Sequence, residues 1–321
     1  MRILFAGKEF RRLWDILAPA FRDYDTDVAG DDELPVKIGD AEVLIIRPMP
    51  VDDALLAHAG KLRMIQQWGT GTEGMNLDAC TRKGIFACNV PSRGTGNAES
   101  VAEMAIMHML LLARRFSRSQ EKLLDGKVFT PPGVSLWKKK ACVIGLGGLG
   151  HSIVERLVCL GMTVVGVNRT QREEFWEWGL SEVYPLCDLE KAVAGCRFVI
   201  LALPLNQETA GIIGGPFFRS MERDAFFINV ARAGIVVRES LELALAEKWI
   251  AGAGLDVFWK EPPDVADALL HSPNVTVTPH VGGVTDASLS GVLHFILQNI
   301  ARLASGETPL SCLNERRLAG R

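Results

Sequence analysis

One stretch constrains this chain more than any other. Residues 141–169 read as an apolar run, the turn Gly145-Leu146-Gly147-Gly148-Leu149-Gly150, a helical segment, and a second apolar run ending at Asn168 and Arg169. The turn fits G-x-G-x-x-G, a weak signal alone that becomes specific between a buried strand and a helix. Gly145 permits the tight turn, Gly147 lets backbone approach a pyrophosphate, and Gly150 lets helix pack closely on strand. The free N–H groups that open the helix then face the anion. Such a unit commits its surroundings to a parallel sheet with crossover helices.

The end of the second strand bears on the nucleotide. A carboxylate there accepts from the ribose hydroxyls of NAD and repels a 2′-phosphate. This chain instead carries Asn168, Arg169 and Thr170. Asn does not repel a phosphate, and the Arg169 guanidinium can pair with one in fork geometry. The expectation is therefore NADP(H) ahead of NAD(H).

The rest of the chain is organised around that unit. Residues 2–7, 41–47, 62–69 and 85–90 read as strands separated by short helices, 10–21, 51–60 and 77–84. After the turn-rich loop 91–98 comes a strongly apolar helix, 98–116, which ends on Arg114 and Arg115. A helix this apolar is buried on most sides and suits a two-fold homodimer contact. A surface loop, 127–140, precedes a second alternating series of six strands beginning at Ala141. The last apolar helix, 287–306, can carry the chain back to the first domain. The fold expected is α/β: a doubly wound, Rossmann-type cofactor domain over 98–289, and a smaller flavodoxin-like α/β substrate domain over 1–97 and 290–321. A cleft between them is expected to close over the ligands and exclude water.

Composition excludes several function classes. A net charge of −3 over 321 residues offers no basic footprint for nucleic acid or an anionic membrane. No apolar run spans a bilayer, and the N-terminus lacks the uninterrupted apolar stretch of a signal peptide. The seven cysteines are odd in number and form no C-x-x-C pair. They read as reduced thiols of a cytoplasmic protein, buried as small hydrophobes, with neither a disulfide frame nor a metal site.

Six segments occur in a fixed order: GTGTEGMNLDA (69–79), NAESVAE (97–103), GLGGLG, INVARAGIVV (228–237), LDVFWKEPP (255–263) and TPHVGG (278–283). In this order the chain resembles the D-isomer-specific 2-hydroxyacid dehydrogenases, over about Ile65 to Leu303, whose members include phosphoglycerate, glyoxylate/hydroxypyruvate and D-lactate dehydrogenases. The resemblance implies hydride transfer between NAD(P)H and a small 2-keto or 2-hydroxy acid. It assigns Arg232 to the substrate carboxylate and keto oxygen, His280 to proton transfer, and Glu261 to the carboxylate that orients the imidazole and favours its charged form. It places Asp256 opposite the nicotinamide carboxamide, with Val101 on the nicotinamide side and Leu203 and Pro204 on the adenine side. Thr209, Val230, Ala231, Gly282 and Gly283 join the glycine turn as cofactor contacts. Thr70 and Gly71 offer N–H groups to the substrate, and Asn97 stands at the domain crossing.

The chain departs from relatives in places. Ala233 stands where glycine commonly follows the arginine, and Glu261 argues against the formate dehydrogenase branch, which carries an amide there. No regulatory domain follows the last helix, unlike the long phosphoglycerate dehydrogenases. Pro48 and Met49 offer no hydroxyls where a phosphate-binding branch would place them, so an unphosphorylated acid such as glyoxylate or hydroxypyruvate is favoured. The alternatives are a dinucleotide-sensing corepressor resembling this family, and phosphite or phosphoglycerate oxidation on the same scaffold. The corepressor needs long flanks and basic runs that are not visible here.

Overall fold

The computed structural model describes residues 1–319, which divide into two compact units, one of residues 1–97 with 286–319, and the other Ala98–Thr285. The second crossing falls ahead of the expected residue 290, where the last long helix, Asp286–Ala304, begins.

The first unit is built on five parallel strands: β1 (Arg2–Ala6), β2 (Asp25–Ala29), β3 (Val43–Ile46), β4 (Met64–Gln67) and β5 (Phe86–Cys88). They lie in the order β2-β1-β3-β4-β5, the flavodoxin-like arrangement. Period-2 alternation sends Leu4, Ala6, Leu44 and Ile46 to one face and Ile3, Phe5, Val43 and Ile45 to the other. Because helices cover both faces, the inner strands β1 and β3 are apolar apart from Arg2 instead of alternating with polar residues. The helix Asp286–Ala304 covers the second face with Val292, Ile296, Ile300 and Leu303, one stripe at helical spacing. Each such side chain contributes about 1.5–3 kcal/mol by leaving water. That stripe is why the C-terminal segment belongs to this unit.

The second unit holds seven parallel strands: β6 (Lys140–Ile144), β7 (Thr163–Val167), β8 (Leu180–Tyr184), β9 (Phe198–Leu201), β10 (Phe226–Asn229), β11 (Gly252–Leu255) and β12 (Val275–Val277). The order is β12-β11-β10-β9-β6-β7-β8, so the chain reverses direction across the sheet at β6. In an open sheet of this type, ligands bind beyond the carboxyl ends of the strands at that reversal. Cys142, Ile144, Val199 and Leu201 pack on one face, and Ala141, Val143, Phe198 and Ile200 on the other.

Sequence periodicity missed β2 and β8. Their burial runs from exposed to buried along β2 and is broken along β8, because each is an edge strand with solvent on one side. The expected helix 10–21 is broken into the short turns Glu9–Arg12, Trp14–Leu17 and a 3-10 turn, Ala18–Phe21. The apolar helix runs from Asn97 to Ala113, and Arg115, at φ 50°, turns the chain into a second helix, Phe116–Leu124. Among the described residues no helix is long and apolar enough to cross a membrane.

Candidate active site

Beyond the carboxyl end of β6 the glycine turn leads into the helix Gly148–Cys159. Gly145 sits at φ 101°, and a Cβ there would meet the Ala202 carbonyl at 2.7 Å and the Leu203 nitrogen at 2.9 Å. A Cβ at Gly150 would lie 1.9 Å from the Gly145 backbone oxygen, so helix and turn touch only because Gly150 lacks a side chain. At Gly147 a Cβ would meet nothing within 4 Å, and the N-cap makes no side-chain hydrogen bond. An open face over uncapped first-turn amides is the cradle a pyrophosphate requires, so these residues fit a dinucleotide.

Asn168 closes the same corner: its Oδ1 accepts from Leu146 N–H at 3.3 Å and its Nδ2 donates to the Thr170 carbonyl at 2.7 Å. Arg169 is exposed and its Nη1 donates to Glu208 Oε2 at 2.9 Å. Leu203 is buried and Pro204 exposed. Thr209 turns inward, with its hydroxyl donating to the Pro204 carbonyl at 2.7 Å, so it braces the loop that carries Pro204.

The side chains expected to carry the chemistry lie at or beyond the ends of β10, β11 and β12. After β10, the buried Asn229 shapes the turn: its Oδ1 accepts from Ala231 N–H at 3.0 Å and its Nδ2 donates to the Arg232 carbonyl at 3.1 Å. Val230 and Ala231 are buried, and Arg232 Nη1 donates to the Ala231 carbonyl at 2.8 Å. After β11 comes Asp256, 2% exposed. Its Oδ1 accepts from the Thr278 hydroxyl at 2.6 Å and Val281 N–H at 3.0 Å, and its Oδ2 from Gly282 N–H at 2.9 Å. Asp256 thus buckles the loop that follows β12, which also carries Gly283.

That loop holds His280 at φ 54°, a left-handed conformation that costs a non-glycine residue of order 1 kcal/mol and persists only where surroundings impose it. A Cβ at Gly282 would fall 2.8 Å from Asp256 Oδ2 and 3.5 Å from Val101 Cγ2, which sets Val101 beside the loop. His280 Nδ1 lies 2.7 Å from Glu261 Oε2, while Glu261 Oε1 accepts from Phe258 N–H at 3.1 Å. Burial pushes the Glu261 carboxyl up. The hydrogen bonds from His280 and Phe258, with the positive His280 and Arg232, outweigh it and hold the group below its ordinary range. One carboxylate therefore touches the imidazole and feels the guanidinium.

The remaining expected residues belong to the first unit. Thr70 and Gly71 follow β4. The Thr70 hydroxyl donates to the Val90 carbonyl at 3.0 Å, and its own carbonyl accepts from Asn89 Nδ2 at 2.8 Å. Asn97 Nδ2 lies 3.2 Å from Ser288 Oγ, joining the starts of two helices. The described residues contain no cluster suited to a metal ion.

The family model for the D-isomer specific 2-hydroxyacid dehydrogenase NAD binding domain matches residues 106–282. The chain belongs to that family. It is 32% identical over 309 residues to the glyoxylate reductase of Pyrococcus horikoshii, covering 91% of this chain and 90% of that one. It is also 32% identical over 288 residues to the D-3-phosphoglycerate dehydrogenase of Methanocaldococcus jannaschii, covering 88% of this chain and 53% of that longer one. The crystal structure of the TT0316 protein from Thermus thermophilus superposes with a TM-score of 0.83 at 26% identity, covering 98% of this chain and 100% of the other. The protein is thus an NAD(P)-dependent 2-hydroxyacid dehydrogenase.

In this dehydrogenase a further layer stands behind Asp256 that sequence reasoning missed. His108, fully buried in the long apolar helix, has Nδ1 2.7 Å from the Thr276 hydroxyl and Nε2 3.0 Å from the Thr278 hydroxyl. Thr278 spends its one proton on Asp256, so it accepts from Nε2–H, and Nδ1 accepts from Thr276. The imidazole is neutral in this arrangement. A Cβ at Gly254 would come within 2.6 Å of His108 Cβ, so glycine in β11 admits the helix. The only sequence signal was a lone histidine on an apolar helix, which by itself reads as core.

Burial pushes the His108 pKa down from 6.5 to about 4, against the opposing pull of Asp256. The unfolded chain takes up this proton first as pH falls. His108's contribution is therefore complete above the unfolded pKa of 6.5 and is lost as pH drops toward 4, by about 3 kcal/mol in all. Denaturant unfolding of wild type and His108→Gln at about pH 7 and about pH 5 checks this. The variant should lose less stability than wild type between the two, and equal losses would remove His108 from the account.

Proposed function

We propose that this dehydrogenase reduces an unphosphorylated 2-keto acid of the glyoxylate or hydroxypyruvate type, with NADPH preferred over NADH. Arg232 holds the substrate, and His280 with Glu261 serves as acid and base. The reading is supported above all by the 2.7 Å contact between His280 Nδ1 and Glu261 Oε2, with the Arg232 charge acting on the same carboxylate.

A bound nicotinamide supplies or accepts the hydride. The residues do the rest. Arg232 pairs its planar guanidinium with the substrate carboxylate and draws electron density toward the adjacent carbonyl oxygen. Glu261 takes the Nδ1 proton of His280 in a hydrogen bond, which fixes the ring and leaves Nε2 to face the substrate. In reduction, Nε2 of the imidazolium gives its proton to the oxygen that becomes the product hydroxyl. In oxidation, neutral Nε2 takes that proton back. Thr70 and Gly71 are read, as the family resemblance implies, as N–H donors to the substrate, and Asn89 holds their loop through the Thr70 carbonyl.

Cofactor preference rests on Asn168 and Arg169, since neither repels a 2′-phosphate. Glu208 competes, because it pairs with Arg169 in a contact exposed on both sides. Arg169→Asp should lower the NADPH/NADH ratio of kcat/KM about 10-fold, a charge effect discounted for solvent screening. Glu208→Gln should raise it. An unchanged ratio in both variants would end the NADPH preference as read from this corner. The substrate class is tested by steady-state reduction of glyoxylate, hydroxypyruvate and pyruvate with each nucleotide, beside oxidation of 3-phosphoglycerate and phosphite. Higher kcat/KM on either of the last two would displace the glyoxylate-type reading. The homodimer expected from the sequence belongs to the same proposal and is checked by sedimentation velocity.

A further inference from the structure

Two of the seven cysteines, distant in sequence, stand face to face. Cys88 ends β5 and Cys312 lies on the C-terminal segment, and the two are partners in an isolated antiparallel bridge. The flanking hydrogen bonds run from Asn89 N–H to Ser311 O at 3.4 Å and from Leu313 N–H to Ala87 O at 2.8 Å. Bonds on the residues either side, and none between the pair itself, make this a non-hydrogen-bonded pair. There the Cα atoms approach to about 4.5 Å and the side chains are closest. A disulfide accepts Cα separations of about 4.4–6.8 Å, so the backbone already suits one.

The two thiols are not equivalent. Cys88 is fully buried, whereas Cys312 is partly open to solvent and its Sγ also lies 3.3 Å from Asn314 Oδ1. The hydrogen bond from Cys88 favours the Cys312 thiolate over its own burial, and the same bond with burial pushes Cys88 up. An accessible, stabilised thiolate beside a buried resolving thiol is the arrangement oxidation chemistry uses.

We propose that Cys88 and Cys312 form a modification site for a hydroperoxide, which closes them into a disulfide. The Cys312 thiolate attacks a peroxide oxygen: an S–O bond forms, the O–O bond breaks, and the departing oxygen leaves as water or alcohol after protonation. The Cys88 sulfur then attacks the sulfenic sulfur of Cys312. The S–S bond forms, the S–O bond breaks, and hydroxide leaves with the Cys88 proton as water. Two thiols are oxidised by one peroxide, and an external dithiol restores them.

The site connects to the substrate loop. Asn89, next to Cys88, accepts from the Ser311 hydroxyl at 2.6 Å and donates to the Thr70 carbonyl at 2.8 Å. Ser311 is the neighbour of Cys312. Drawing the sulfurs together shifts both bonds at once. That this reaches substrate binding rests on the reading of Thr70 given above, whereas the disulfide does not.

The test uses the reduced full-length protein, titrated anaerobically with hydrogen peroxide, alkylated, digested and mapped by mass. Expected is a dithiothreitol-sensitive peptide joining Cys88 to Cys312, absent in Cys312→Ser, with Cys88 then left unmodified. Cys312 found as sulfinic acid with Cys88 free, or oxidation confined to the exposed Cys159 and Cys187, would overturn the site. On the oxidised wild type, KM for the keto acid should rise about 3- to 10-fold, the scale of one lost hydrogen bond, with the nucleotide KM unchanged. A mapped disulfide with an unaltered keto-acid KM overturns the link to the Thr70 loop alone. Peptide mapping needs no turnover, so an enzyme inert toward these keto acids would count against the proposed substrate and leave the thiol chemistry judged separately.

Discussion

Replacing His280 by alanine is expected to lower kcat for keto-acid reduction by about 10²- to 10⁴-fold, the usual weight of a positioned general acid. Binding of NADPH, followed by fluorescence, should hardly change, because the glycine turn lies after β6 and His280 after β12. Glu261→Gln should fall between wild type and the alanine variant. An amide still accepts from Nδ1 and keeps the ring oriented, but it no longer carries the charge that stabilises an imidazolium in the proton-transfer step. Turnover of His280→Ala within a few-fold of wild type would remove the imidazole from the chemistry.

The second large effect is expected at Arg232. Two charge-assisted hydrogen bonds to a carboxylate, at about 1.5–3 kcal/mol each, put the loss in kcat/KM for Arg232→Leu near 10²- to 10⁴-fold. Arg232→Lys should recover only part, since an ammonium keeps the charge but cannot present the planar fork. The split between constants is informative. If Arg232 also polarises the carbonyl, kcat falls together with the rise in KM. A Lys variant with full kcat/KM would mean that charge alone suffices and that the fork has no part.

The first prediction depends on the loop after β12, where the tertiary structure adds most. Asp256, assigned from family resemblance to the carboxamide, spends both oxygens on Thr278, Val281 and Gly282. It holds His280 in its left-handed conformation, and His108 and Thr278 hold Asp256 in turn. A positioning chain of this kind reaches the proposed active site from a buried helix, and no local pattern announces it.

Much of the architecture was legible in residue order. Apolar runs such as VLII and FVIL, buried throughout, announce strands covered on both faces. The turn at 145–150 announces its own geometry, because only glycine allows its φ and its close approaches. Polar edge strands were not legible. DTDVA and LSEVY take their conformation from pairing with a neighbour, and that pairing is a long-range event.

By itself the sequence determined the strand-turn-helix unit for a dinucleotide and most of the two alternating series, since these follow from local periodicity and steric permission, whereas the proposed roles of Arg232, Glu261 and His280 came from the motifs shared with the family. Tertiary structure alone decided which side chains meet. Glu261 meets His280 within reach of the Arg232 charge because β10, β11 and β12 lie side by side, and Cys88 meets Cys312 because the C-terminal segment returns to β5. Strand order and chain return are set by the burial of apolar faces across the whole unit, a property that no short window of residues contains.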